Sequence, residues 1–169
     1  FTNQISNGQD TAKDKEFEKA LTKMEDAIKL VDGGKFIEGI KIIEECCKSY
    51  PDNSTFAYEL GYCNYLNKDF KNALKCLEGF ESNANLTEDI MALLATIYDE
   101  MGDFKKAMEC FDRGFLKFPK SGKLYLEKAI ALMNDKQRDK ALAAFEKGIE
   151  VDPMFPSNYY HAAKIYCGS

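Results

Sequence analysis

"GDFKKAMECFDRGFLKFP", residues 102–119, contains the pattern from which the architecture follows. A Gly-Asp turn opens it, apolar residues recur at helical spacing through its middle, and Pro119 closes it. Taken alone it is one amphipathic helix. A looser form appears at residues 34–51, "GKFIEGIKIIEECCKSYP", and another at residues 136–153, "KQRDKALAAFEKGIEVDP". Pro51, Pro119 and Pro153 are separated by 68 and 34 residues, which is two periods and one period of 34. The chain therefore repeats, and a repeat governs the fold before any single element does.

This register gives units at about 20–53, 54–87, 88–121 and 122–155, with a partial unit at 156–169. Counted from the start of each unit, the eighth place reads Ala27, Gly61, Ala95, Ala129 and Ala163, and the twentieth reads Gly39, Ala73, Ala107 and Ala141. A small side chain on each of two helices lets their axes approach closely. The twenty-fourth place is large and apolar, with Ile43, Leu77, Phe111 and Phe145, and fills the space beside that crossing. The seventeenth is Phe36, Phe70 and Phe104, then Arg138. Proline at the thirty-second place of most units stops the second helix. Between the helices lie short turns, "DGGKF", "NKDF", "MGDF" and "DKQR". Each unit is thus a helical hairpin whose apolar face is buried only by its neighbours.

These columns resemble the tetratricopeptide repeat. The stretches "AYELGYCNYLNKDFKNALKCLEGF" and "LLATIYDEMGDFKKAMECFDRGFLKFP" carry the Leu-Gly or Leu-Ala pair, the Gly-Asp-Phe type of turn, the central Ala and the closing Pro. The resemblance covers residues 20–169. It implies an all-α fold: a right-handed superhelical solenoid of helix-turn-helix repeats, with about nine helices. The polar opening, residues 1–13, reads as a flexible lead-in to a single domain over 14–169. Phe80 and Asn85 break the pattern and predict a less regular junction between the second and third units. Asp26 and Lys128 stand where Leu60 and Leu94 stand elsewhere, and Lys128 is expected to lay its stem over apolar surface.

Composition narrows the function. The net charge is −5, and Arg113 and Arg138 are the only arginines, which argues against nucleic acid as the main partner. Apolar runs fall short of the roughly 20 residues that a membrane span needs. The six cysteines, Cys46, Cys47, Cys63, Cys76, Cys110 and Cys167, form no C-x-x-C pair and no metal-ligand spacing with the one histidine, His161. Most are expected to be buried free thiols. Such thiols favour a cytoplasmic location, whereas a removed leader ahead of Phe1 would favour export. No phosphate-binding loop is present, since "DGGK" at residues 32–35 is an inter-helix turn. His161 and Cys167, six residues apart on one helix, fall on different faces. No enzyme, cofactor or metal site is expected.

The resemblance also implies that the first helix of each unit lines an inner groove, with places 5, 9 and 12 facing in. Those offsets of four and three share one helix face. The stripes are Met24, Ile28 and Val31; Tyr58, Tyr62 and Tyr65; Ala92, Thr96 and Asp99; Leu126, Ile130 and Met133; and Tyr160, Lys164 and Cys167. Glu25, Glu59 and Glu127 stand beside them at the sixth place. Such a groove suits a peptide or partner helix with apolar anchors and some basic residues. The candidate binding residues are Tyr58, Tyr62, Tyr65, Glu59, Thr96 and Asp99, weighed against packing of the same side chains on neighbouring helices. The carboxylate clamp of chaperone-adaptor members of the family is not expected, because only Lys123 fits its pattern. The function expected is a non-enzymatic protein-interaction scaffold. The alternatives are a structural spacer that self-associates through its exposed last helix, or the regulatory arm of a longer protein, with the chain read as a fragment of one.

Overall fold

In a computed structural model the described residues are 3–168, with side chains from residue 12 onward, and every regular element among them is helical. They are α1 (Asn3–Asp32), α2 (Phe36–Ser49), α3 (Ser54–Leu66), α4 (Phe70–Glu78), α5 (Glu88–Glu100), α6 (Phe104–Lys117), α7 (Gly122–Asn134), α8 (Arg138–Val151) and α9 (Pro156–Cys167). The first helix begins at Asn3, inside the stretch that composition reads as a flexible lead-in. Contacts gather in two compact units, Phe1–Asp69 and Phe70–Ser169, dividing within the second repeat of the expected single domain. In the first unit α1, α2 and α3 all pack on one another. In the second, α5 pairs with α6, α7 with α8, and α8 with α9, while α4 leans on α5.

The turns follow from local hydrogen bonding. At the end of α1 the Lys35 N–H donates to Leu30 O (2.8 Å) and the Gly34 N–H to Val31 O (2.9 Å). The same pair closes α5, from Asp103 to Tyr98 (2.9 Å) and from Gly102 to Asp99 (2.8 Å). It closes α7 too, from Gln137 to Leu132 (2.8 Å) and from Lys136 to Met133 (3.0 Å). This is the Schellman arrangement, whose penultimate residue sits in the left-handed region. Gly34 (φ 81°) and Gly102 (φ 78°) suit it, yet Lys68 (φ 60°) and Lys136 (φ 61°) hold the same place in the other units. The first helices of the later units, α3, α5 and α7, start on side-chain caps: Asn53 accepts from the Phe56 N–H, Thr87 from Ile90 and Ser121 from Leu124.

The repeat columns are the core. Ala27, Ala73, Ala95, Ala107, Ala129 and Ala141 are all fully buried. The crossing of α1 and α2 is close enough that a Cβ on Gly39 would lie 2.6 Å from Ala27 O. Ile43, Leu77 and Phe111 are fully buried and Phe145 is 1% exposed. Each such side chain stabilises by roughly 1.5–3 kcal/mol. A further column, unremarked in the sequence, is as important: Phe56, Ile90, Leu124 and Asn158, the third place of successive units, are all 0% exposed. The irregular junction is also visible. α4 has 9 residues where α2, α6 and α8 have 14, and Phe80 is buried after its end.

Candidate interaction faces

On α3 the tyrosines at offsets of four and three do share a face. The Tyr58 and Tyr62 rings are 6.0 Å apart and nearly parallel (4°), and Tyr62 and Tyr65 are 6.1 Å apart at 28°. The Lys68 ammonium lies 5.4 Å from the Tyr65 ring. Tyr62 is 37% exposed and its two neighbours are half-buried, so the stack is an aromatic surface rather than core. It is held rigidly, because Phe56, Ala57, Leu60, Gly61 and Cys63 bury the rest of α3. Glu59 stands half-buried beside it, and among the described residues neither a cation nor a hydrogen-bond donor meets its carboxylate. Burial pushes its carboxyl pKa up. Burial, with Glu59 and Asp32 nearby, pushes the Cys63 thiol up to about 12.

Thr96 and Asp99 lie on α5, in the other compact unit, where they meet α7. The Thr96 hydroxyl donates to Ala92 O in its own helix (2.9 Å) and lies 3.5 Å from Glu127 Oε2. Asp99 accepts from the Asn134 amide (2.7 Å), a partner that no local pattern singles out. Burial raises the Glu127 carboxyl pKa, against the opposing pull of Lys123 and the Thr96 hydroxyl. Lys123 pairs with Asp89. This face is polar and acidic, with Met133 exposed beside it.

Some positions of the inner stripes are core, Met24 among them as packing on neighbouring helices requires. Met24, Val31 and Ala92 are 6%, 3% and 2% exposed, because neighbouring helices cover them. Ile28, Leu126 and Ile130 are half-buried. His161 is no free surface group: its ring stacks on Phe145 at 5.4 Å and 13°. All six cysteines are free thiols; Cys46, Cys63 and Cys110 are buried, Cys47 and Cys76 half-buried and Cys167 exposed. Lys128 is half-buried and reaches Asp112 (3.2 Å), with its ammonium 5.3 Å from the Phe115 ring. Arg138 replaces the column's phenylalanine and donates to Ile165 O (2.6 Å) near the end of α9. Among the described residues no group of three or more His, Cys, Asp or Glu could hold a metal ion, and no helix is long and apolar enough to cross a membrane.

Paired helices, small-residue crossings and repeated Schellman turns define an all-α helical-repeat solenoid. Residues 88–115 and 122–153 match the model of the tetratricopeptide repeat. Those two stretches are tetratricopeptide repeats. Among solved structures it is similar to a thermophilic TPR protein of Thermus thermophilus, TTC0263 (15% identity, TM-score 0.71, covering 88% of this chain and 82% of that one). It is also similar to MamA (21%, 0.62, covering 79% and 78%) and to MamA from Desulfovibrio magneticus RS-1 (15%, 0.62, covering 89% and 85%). At these identities the likeness establishes the fold. No curated protein matches the sequence. Tetratricopeptide-repeat proteins bind protein partners, and these repeats support the role of a protein-interaction scaffold in general.

Proposed function

We propose that the chain docks a peptide or partner helix on its first-of-unit helices, with Tyr58, Tyr62 and Tyr65 as anchors. The tyrosine stack on α3 carries this reading. Three near-parallel rings stay at the surface of a helix whose other sides are core. Tyrosine offers large contact area at low entropy cost. The partner chemistry follows from Glu59: a half-buried carboxylate without a cation is completed by a Lys or Arg of the partner, beside an apolar side chain laid on the rings. In the other compact unit, Thr96 and Asp99 give α5 a separate polar face. A chain of net charge −5 favours protein over nucleic acid as that partner.

The test replaces Tyr58 and Tyr62 with Ala and measures both partner retention and thermal stability. Retention lost at unchanged stability supports the anchors. Unchanged retention removes them, and a large loss of stability assigns the rings to packing instead.

A second reading is self-association through α9. Ala163 is exposed, although Ala27, Ala95 and Ala129 at the same repeat place are fully buried. Tyr160 and Tyr166 on α9 are 66% and 60% exposed. Light scattering against concentration tests it: a constant monomer mass defeats this reading.

A further inference from the structure

We infer that the groove between α6 and α8 is a second docking site, one that takes an acidic peptide segment carrying a large apolar side chain. It lies on different helices from the tyrosine stack. α6 and α8 each pack on α7 but not on one another, which leaves a channel floored by α7. The channel holds about 490 Å³, within the range of natural ligand sites. Tyr125 and Leu132 form its floor, Phe104 and Met108 one wall, and Ala143 and Ala144 the other.

The channel arises where the fourth unit departs from the repeat. At the seventh place Leu60 and Leu94 are 9% and 1% exposed, filling the space beneath the second helices. Lys128 holds that place in α7 and carries its charge out to Asp112 (3.2 Å) rather than filling the interior. At the twenty-third place α6 has Cys110, fully buried, and α8 has Ala144, smaller and only half-buried. A leucine and a thiol of the pattern are thus missing at one spot, and an apolar side chain from outside fits where they would stand.

The rim supplies the charge. Lys128, Lys140 and Lys147 line the channel in a chain whose net charge is −5. Their own partners are weakly held. Among the described residues Lys140 reaches only the neutral Gln137 (2.6 Å). Lys147 and Glu150 form a surface pair (2.7 Å) whose side chains are 47% and 68% exposed. Exposed pairs of this kind contribute about 0–1 kcal/mol and exchange readily for an incoming carboxylate. Apolar below and cationic above, the channel is complementary to an apolar side chain flanked by Asp or Glu. The basic, apolar partner argued for α3 has the opposite charge.

The experiment is fluorescence anisotropy of the full chain with a labelled octapeptide of Glu and Asp around a central Phe-Leu. A second octapeptide, with Lys in place of every acid, is the control. The acidic probe should bind saturably and weaken as salt rises, and the basic one should not compete. Lys140→Glu with Lys147→Glu, both at exposed positions, should weaken the acidic probe at least tenfold. Ala144→Trp should do the same by filling the channel. Tyr58→Ala with Tyr62→Ala should leave it unchanged, which separates this site from the α3 reading. Absence of saturable binding, equal binding of the basic probe, or indifference to the charge reversal would overturn the inference. So would displacement of the probe by octanoate at comparable affinity, which would make the channel a small-molecule site.

Discussion

Gly114 and Gly148 occupy the same place of successive units, and replacing each with Ala should have opposite effects. Both sit inside helices, where Gly→Ala alone gains about 1 kcal/mol. What differs is the facing residue. A Cβ on Gly114 would meet the Leu124 Cδ1 methyl at 3.1 Å, the far end of a side chain that can give by a few tenths of an ångström. A Cβ on Gly148 would meet the Asn158 side-chain amide, with Nδ2 at 2.5 Å, Cγ at 2.7 Å and Oδ1 at 2.9 Å. Asn158 is 0% exposed and donates to Gly122 O at 2.9 Å, so it has nowhere to retreat without breaking that bond. Overpacking costs about 1–3 kcal/mol, and a buried hydrogen bond left open about 1–3 kcal/mol more. Net of the helix gain, Gly148→Ala should destabilise by about 1–5 kcal/mol. Gly114→Ala should fall between neutral and a gain of about 1 kcal/mol. Both lie in the Phe70–Ser169 unit, so urea unfolding followed by helical circular dichroism compares them directly. Adding Asn158→Ala to Gly148→Ala should cost less than the sum of the two single changes, because the clash is gone. Equal shifts for the two glycine variants would refute the assignment of this column to the contact between successive units.

Three other outcomes follow from the same structure. Lys136→Gly should stabilise by up to about 1 kcal/mol in the same urea assay, since Lys136 holds a left-handed conformation at φ 61°. Burial holds the Glu127 carboxyl above its ordinary 4.5, so the folded chain binds that proton more tightly than the unfolded one. Its charge therefore destabilises increasingly as pH rises from 4.5 through the raised value, and fully above it. Glu127→Gln should accordingly raise the melting temperature at neutral pH, with the advantage vanishing below 4.5. Iodoacetamide at pH 8 should label exposed Cys167 quickly and leave Cys63 and Cys110, both pushed up to about 12, intact until unfolding, as peptide mass mapping would show.

The period and its small-residue columns were legible because each is a backbone requirement. Ala107 and Ala141 must be small wherever two helices cross, whatever else the chain does. The Phe80 and Asn85 departures likewise located the junction where α4 ends early. Side-chain exposure was less legible. Tyr58 and Met24 hold the same repeat place, yet Met24 is 6% exposed and Tyr58 half-buried, because coverage depends on neighbouring helices and not on the face alone. The partners of Asp99 and His161 lie 35 and 16 residues away in sequence and left no local signal. Lys68 and Lys136 look ordinary in sequence, although their backbone does what glycine does in the other turns. Asn158 was invisible for a related reason: an asparagine in a column of Phe, Ile and Leu reads as surface until its burial is seen.

Docking on α3 can be read out by selecting a random peptide library on the immobilised full chain. Peptides eluted from wild type but lost on the Tyr58→Ala, Tyr62→Ala variant should pair an apolar residue with Lys or Arg. Selected peptides that bind the variant as well as wild type, or that show no such pairing, would contradict docking on α3.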